Sequence, residues 1–312
     1  MASVYFSDSI EDATGSPLTT REALSHAVPR IDAMQASRFR ETMHGRGVFL
    51  GCFARAKNEY LLPFYSRPKP GSLRPREEFV QLTSRIISAC APSAERLFRG
   101  NEPALESIGM LLYELFKNTN EHAVTDAKGH AYSKNLRAVM AKFVQYESES
   151  VDERVVSSDP SLARYLSENF ANRAQTSAAP SAPTQQTPLL ELTVVDTGPG
   201  LVRRWLSRYG REGDINLSID REVELVRACF ELHATTKDKN AAGGGLTYVL
   251  ETLNQLNAYL RLRTGRICLV QDFSASDSAE FAPSHWLEDR TELPHTAGAA
   301  FSIVFPLSKV AR

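Results

Sequence analysis

Three stretches of this chain combine residue types and spacings that could do chemistry. Glu114-Leu115-Phe116-Lys117-Asn118-Thr119-Asn120-Glu121-His122 sets a carboxylate and a carboxamide four residues apart. On a helix, positions i and i+4 share a face. Glu114 and Asn118 could therefore offer an oxygen ligand to Mg²⁺ and a base that orients water. Magnesium carried on substrate phosphates needs one or two such protein oxygens. Asp196-Thr197-Gly198-Pro199-Gly200 follows the apolar run Leu189 to Val195. A carboxylate at the end of a buried strand is costly without a donor, and the exocyclic amine of adenine would supply one. Gly198 and Gly200 permit a tight turn and the close approach of a ring. Gly243-Gly244-Gly245-Leu246 opens an apolar-faced segment, where bare backbone N–H groups at a helix start can meet phosphate. Thr235, Thr236 and Lys237, just upstream, add two hydroxyls and a cation. Taken singly, these read equally as a surface pair, a turn aspartate and loop glycines; in combination they point to ATP.

The elements that must position these residues can be read from periodicity and punctuation. Residues 1–18 are polar and form a loose or docked lead-in, followed by a helix start at Thr19-Thr20-Arg21-Glu22 that Pro29 should interrupt. Val48 to Phe53 and Glu59 to Tyr65 read as two strands around a polar turn. Arg67-Pro68-Lys69-Pro70-Gly71 marks a boundary, dividing an N-terminal extension (1–72) from a larger domain (73–312). A helix is expected from about Pro75, with Phe79, Leu82, Ile86 and Ile87 inward. A second follows Asn101-Glu102-Pro103, with Leu105, Ile108, Leu112, Leu115 and Phe116 inward. Leu136 to Val144 reads as a strand. Residues 147–188 form an insertion that contains a short amphipathic helix around Leu162 and Phe170 and ends in an Ala-Pro-Ser-Thr-Gln tract unable to bury much surface. Residues 201–242 are mainly helical in pattern, and 246–257 form a helix. Strands are expected near 258–264, 266–272 and 300–306, with 273–297 irregular. This order argues for an α+β sandwich and against regular βαβ winding.

Composition narrows the class. The 312 residues are 42% hydrophobic and 23% charged with a formal net charge of −1, ordinary for a globular protein and no electrostatic case for nucleic acid or an anionic membrane. Arg203, Arg204, Arg208 and Arg211 are locally dense, either as a solvated helix face or as a phosphate- or partner-facing patch. Cys52, Cys90, Cys229 and Cys268 are scattered, which fits buried thiols in a reducing cytoplasm better than a disulfide scaffold or zinc site. Neither a secretory leader nor a run of ~20 apolar residues is present, so a cytoplasmic protein is expected. The P-loop pattern, the Rossmann glycine fingerprint (Tyr248 stands in place of its third glycine) and the common hydrolase and kinase signatures are all missing.

Glu114-x-x-x-Asn118, Asp196-x-Gly198-x-Gly200 and Gly243-x-Gly245-Leu246, in that order, resemble the N, G1 and G2 boxes of the GHKL superfamily of gyrase B-type ATPases, Hsp90, histidine kinases and MutL. Gly298 to Leu307 is similar to that family's last strand, and Thr236-Lys237 to the Ser/Thr-Lys of many ATP lids. The resemblance covers roughly 75–308. It implies a Bergerat fold: a two-layer sandwich of helices on a mixed, mostly antiparallel sheet, with a small N-terminal α/β extension. In it Asn118 would bind Mg²⁺, Glu114 would activate water, and Asp196 would bind the adenine amine. Gly198 and Gly200 would shape the adenine pocket. Gly243, Gly244 and Gly245 with Leu246, Thr236 and Lys237 would hold the phosphates under a lid at 201–242. Ala299 stands where the family often has threonine, so weaker nucleotide binding is expected.

His26 lacks the sequence context of a phosphorylatable histidine, and His122 fits a place at the pocket rim. The expectation is a stand-alone, Mg-dependent ATPase whose nucleotide state is read by a protein partner or a second copy, through residues 1–72. The alternatives are a histidine or serine protein kinase of the same fold, or a non-hydrolysing nucleotide-sensing adaptor.

Overall fold

A computed structural model describes residues 5–25, 27–67, 72–92, 102–147, 159–176, 186–210, 217–231, 245–274, 279–289 and 291–307. Its helices are Thr20–Ser25 (α1), Val28–Gln35 (α2), Arg76–Cys90 (α3), Glu102–His122 (α4), Pro160–Thr176 (α5), Gly200–Tyr209 (α6), Ile219–Ala228 (α7) and Gly245–Gln255 (α8). Its strands are Gly47–Phe53 (β1), Leu136–Glu147 (β2), Gln186–Asp196 (β3), Tyr259–Gly265 (β4), Ile267–Asp272 (β5), Ser284–His285 (β6) and Thr296–Pro306 (β7).

The class is α+β. One seven-stranded sheet runs in the order β1-β2-β3-β7-β4-β5-β6. Every pairing among these strands is antiparallel, so the expected mixed sheet is not what forms. The cause is connectivity. β2 and β3 fold back on each other, as do β4 and β5, and β7 returns between the two pairs antiparallel to β3 and β4.

Side-chain alternation sorts the sheet into two faces. Leu190, Leu192 and Val194 of β3, Phe301, Ile303 and Phe305 of β7, and Leu260 and Leu262 of β4 join one core with α3, α4, α7 and α8. Phe79 of α3 and Phe116 of α4 belong to this core, and the Phe64 ring stacks on Phe116 at 4.0 Å between centroids. Leu189, Tyr259 and Val270 point to the opposite face and pack with Tyr165 and Leu166 of α5. This face carries a partial third layer where two layers were expected. Asp159 fixes it: its Oδ1 caps the helix by accepting from Leu162 N at 3.0 Å and accepts from the Tyr259 hydroxyl at 3.1 Å. Its Oδ2 accepts from Arg261 Nη1 at 2.9 Å, and the Tyr165 hydroxyl donates to the Asn257 carbonyl at 2.9 Å. The amphipathic helix read inside the insertion is thus α5; residues 148–158 and 177–185 lie outside the described residues.

The N-terminal segment is built into the same sheet and core. β1 is an edge strand paired with β2, and Leu61, Phe64 and Tyr65 are buried among residues of α3 and α4. The strand expected at 59–65 does not form. Pro63 has no N–H to give a ladder, and the Leu61 carbonyl instead accepts turn bonds from both Phe64 N and Tyr65 N at 2.9 Å. Residues 61, 63, 64 and 65 are all buried, a run that strand alternation would not give. Of the polar lead-in, Tyr5 is docked: its hydroxyl donates to the Ala54 carbonyl at 2.9 Å and its ring meets Phe53 at 5.0 Å. Among the described residues no helix is long and apolar enough to cross a membrane.

Candidate functional site

Helix α4 is the spine of the site. Pro103 in its first turn and the inward stripe Ile108, Leu111, Leu112, Leu115, Phe116 and Thr119 seat it on β2 and β3 between α3 and α8. Glu114 lies inside this packing, 5% exposed, and not on an open flank. Its Oε1 accepts a hydrogen bond from Arg76 Nη2 at 2.8 Å, an ion pair with the first residue of α3. A buried carboxylate needs such a partner. Its Oε2 faces the start of α8: a Cβ on Gly245 would stand 2.8 Å from it. A side chain at 245 would have to displace this carboxylate. Asn118 follows one turn later, half-buried, and Leu246 is partly buried against the main core.

The Asp196 turn is stacked on the other end of α4. A Cβ on Gly198 would lie 2.5 Å from the Ala123 Cα, so the turn abuts the helix terminus directly. Glu114 and Ala123 are separated by about 13 Å of helix at 1.5 Å per residue. Both the Asp196 turn and the Gly245 start of α8 therefore meet the same α4 segment, one at each end.

Asp196 Oδ1 accepts from Gly198 N at 2.8 Å. Desolvation by burial pushes the carboxyl up from 3.8 to about 6, opposed by the backbone N–H groups of Gly198 and Ala299 and then by the charges of Arg204 and Arg137. The turn is clasped from below. Gly200 has φ +78° and Gly298 φ +73°, and a Cβ on Gly298 would lie 2.0 Å from the Asp196 carbonyl oxygen. Thr264 Oγ1 donates to the Gly298 carbonyl at 3.0 Å and accepts from Leu201 N at 3.2 Å, tying the start of α6 to β7. Thr264 is the cross-strand partner of Ala299. A hydroxyl thus sits beside the position where the resembled family often carries threonine, but it is engaged with backbone.

Two arginines complete the surroundings. Arg204 of α6 donates through Nε at 3.1 Å and Nη2 at 2.5 Å to the His122 carbonyl, and through Nη2 to the Thr125 carbonyl at 2.7 Å. It is neither a solvated face nor a ligand-facing patch: it meets the His122 carbonyl at the end of α4, where a cation is favoured by the helix dipole, and the Thr125 carbonyl just beyond it. Arg137, at the start of β2, is 1% exposed. Its Nη1 donates to the Tyr65 hydroxyl at 2.5 Å and Asn120 Oδ1 at 2.9 Å, and its Nη2 to the Glu59 carbonyl at 3.0 Å.

Glu114, Asn118, Asp196, Gly198, Gly200, Gly245 and Leu246 are thus gathered around α4, the Asp196 turn and the α8 start. Thr235, Thr236, Lys237, Gly243 and Gly244 lie outside the described residues, as do His26 and, within 201–242, residues 211–216 and 232–242. Arg76, Arg137, Arg204 and Thr264 were not found from sequence. Faint signals existed for Arg76, as a basic residue following Pro75 at a helix start, and for Arg204, as a member of the dense arginine run. Among the described residues no group of three or more His, Cys, Asp or Glu side chains could hold a metal unaided. Comparison with protein-family models, with curated proteins and with solved structures gave no match.

Proposed function

We propose that this chain binds ATP with Mg²⁺ along α4, in a Bergerat-type fold, and hydrolyses it, using nucleotide state as a switch read by a protein partner or a second copy. One observation carries the reading. Two sequence motifs far apart in the chain each pack against α4, the Asp196 turn at Ala123 and Gly245 at Glu114, separated by about 13 Å of helix. That span suits an extended nucleoside triphosphate. Asp196 would accept from the adenine amine, with Gly198 and Gly200 giving the ring access to backbone. The N–H groups at the start of α8 would meet phosphate, together with Thr236, Lys237, Gly243 and Gly244. Asn118 would be the protein's ligand to a magnesium otherwise held by phosphates and water, the mode its sparse donor set fits. Bound there, the ion would neutralise phosphate charge. Glu114 would orient and deprotonate water, and electrostatic stabilisation would supply most of the rate.

The test is binding and turnover on the purified chain. ATP–Mg²⁺ binding and phosphate release are expected, with Asp196→Asn losing binding and Glu114→Ala retaining binding while turnover falls by about 10²–10⁴. Binding without any phosphate release at high protein concentration would remove the hydrolysis step. No binding at all would remove the whole reading.

One feature favours a second reading, a non-hydrolysing nucleotide-sensing adaptor. The Glu114 carboxylate is already paired with Arg76 at 2.8 Å, so its Oε1 is engaged by the guanidinium and not available to hold a water. In that case Glu114→Ala leaves partner recognition and nucleotide affinity intact, and wild-type turnover is already at background.

A further inference from the structure

Among the described residues the largest fully buried side chain is a cation, Arg137. A buried charge costs several kcal/mol unless it is compensated, yet its hydrogen-bond partners are a phenol, a carboxamide and a carbonyl, with no carboxylate among them. Its Nε is buried with no hydrogen-bond partner. Two tyrosine rings lie near the guanidinium, Tyr60 at 5.6 Å and Tyr65 at 5.8 Å. Register supplies what the contacts lack. Arg137 is the direct cross-strand partner of Asp196, and directly opposed residues on an antiparallel pair project to one face with Cβ atoms about 5 Å apart. That face is the one α4 covers.

We propose that Arg137 is a positioning residue for Asp196. Its fixed guanidinium holds the Asp196 carboxylate in the anionic, hydrogen-bond-accepting form that recognition of an adenine amine requires. This rests on the reading of Asp196 given above and extends it to regulation. Arg137 is anchored by the Glu59 carbonyl and the Tyr65 hydroxyl, so residues 59–65 are one bond removed from the base-recognising end of the site. An event at the N-terminal segment that moved Tyr65 would loosen the guanidinium and weaken nucleotide binding without touching the nucleotide. The other charged or titratable groups that face Asp196 are Arg204 from α6 and Tyr132 from the segment between α4 and β2. Arg204 is hydrogen-bonded at the end of α4 and its charge also favours the Asp196 anion, more strongly than that of Arg137, and the Tyr132 hydroxyl is held neutral by its own desolvation.

The experiment compares Arg137→Gln, Asp196→Asn and the double variant by thermal unfolding without nucleotide at pH 5 and pH 8, and measures affinity for a non-hydrolysable ATP analogue across that range. Arg137→Gln is expected to lose more stability at pH 8 than at pH 5, and Asp196→Asn to rescue that loss. In the binding profile, the acid midpoint should move upward from about 6, so that affinity is lost near pH 6 and largely kept at pH 8. If Arg137→Gln does not fold, folding of the double variant supports the coupling and failure of both overturns it. Equal stability losses at both pH values, and with either aspartate or asparagine at position 196, are the signature of a purely structural arginine and also overturn it. Wild-type affinity in Asp196→Asn would instead sink the adenine reading, whatever the stability data show.

Discussion

Asp196→Asn should make the protein more stable at neutral pH while it abolishes nucleotide binding. The carboxyl is moved by desolvation from 3.8 to about 6, so between these values the folded chain holds a proton that the unfolded chain has released. Stability therefore falls as pH rises through this window. One pH unit of displacement is 1.36 kcal/mol. The full displacement corresponds to roughly 3 kcal/mol, and about 1 to 3 kcal/mol after allowance for the partial exposure of the group. Asparagine keeps an acceptor for Gly198 N and carries no charge. Its advantage over aspartate should be close to zero below about pH 3, where Asp196 is protonated in both states, grow between 3.8 and about 6, and reach its full value above about pH 7. Urea unfolding of both proteins at several pH values measures this directly. A gain that does not vary with pH, or a loss of stability at pH 8, would refute the idea that the turn holds a carboxylate against its own desolvation.

Three further expectations concern the parts that hold the site. Thr264→Val should cost about 1–3 kcal/mol by leaving the Gly298 carbonyl and Leu201 N–H buried without their partner, measured by chemical denaturation, with hydrogen-exchange protection lost first at the Asp196 turn. Gly198→Ala should cost about 1–3 kcal/mol through overpacking against the Ala123 backbone, seen as a lowered unfolding midpoint, and should weaken nucleotide affinity. Asp159→Asn removes the anion paired with Arg261 Nη1 at 2.9 Å; limited proteolysis should then cut within or beside α5 faster, with little change in nucleotide affinity.

Much of the frame was legible in the chain because periodic burial and proline punctuation act locally. Pro75 and Pro103 mark the starts of α3 and α4, and the apolar run Leu189 to Val195 marks β3. The second N-terminal strand was misread because Tyr60-Leu61-Leu62 is as apolar as a strand, while Pro63 and the turn bonds to the Leu61 carbonyl decide otherwise. The strand directions depend on where β7 returns, which no local pattern encodes. Within the site, Glu114, Asp196 and Gly245 were visible as motif members. Their partners Arg76, Arg137 and Thr264 were not, because each comes from a different element and its role exists only through packing. The arginine run was only partly legible: Arg203 and Arg208 are exposed as a solvated helix face would be, but Arg204 sets its guanidinium on the His122 carbonyl that ends α4 and on the Thr125 carbonyl beyond it.

The place of β7 has a consequence for how the chain comes to be folded. Strands β1 to β3 form one antiparallel block, β4 to β6 another, and residues 296–306 are the seam that pairs with both. During synthesis the two blocks can form as separate hairpin systems, yet neither can finish its ladder until the seam has left the ribosome. Gly298, on which the Asp196 turn rests, arrives with it. A nascent chain stopped before residue 296 would therefore expose two open strand edges, on β3 and β4, and edges of that kind recruit other chains. Assembly is consequently late and dominated by contacts distant in sequence, which predicts slow folding and a need for protection in the interval. The proposed nucleotide site would be the last part of the protein to form.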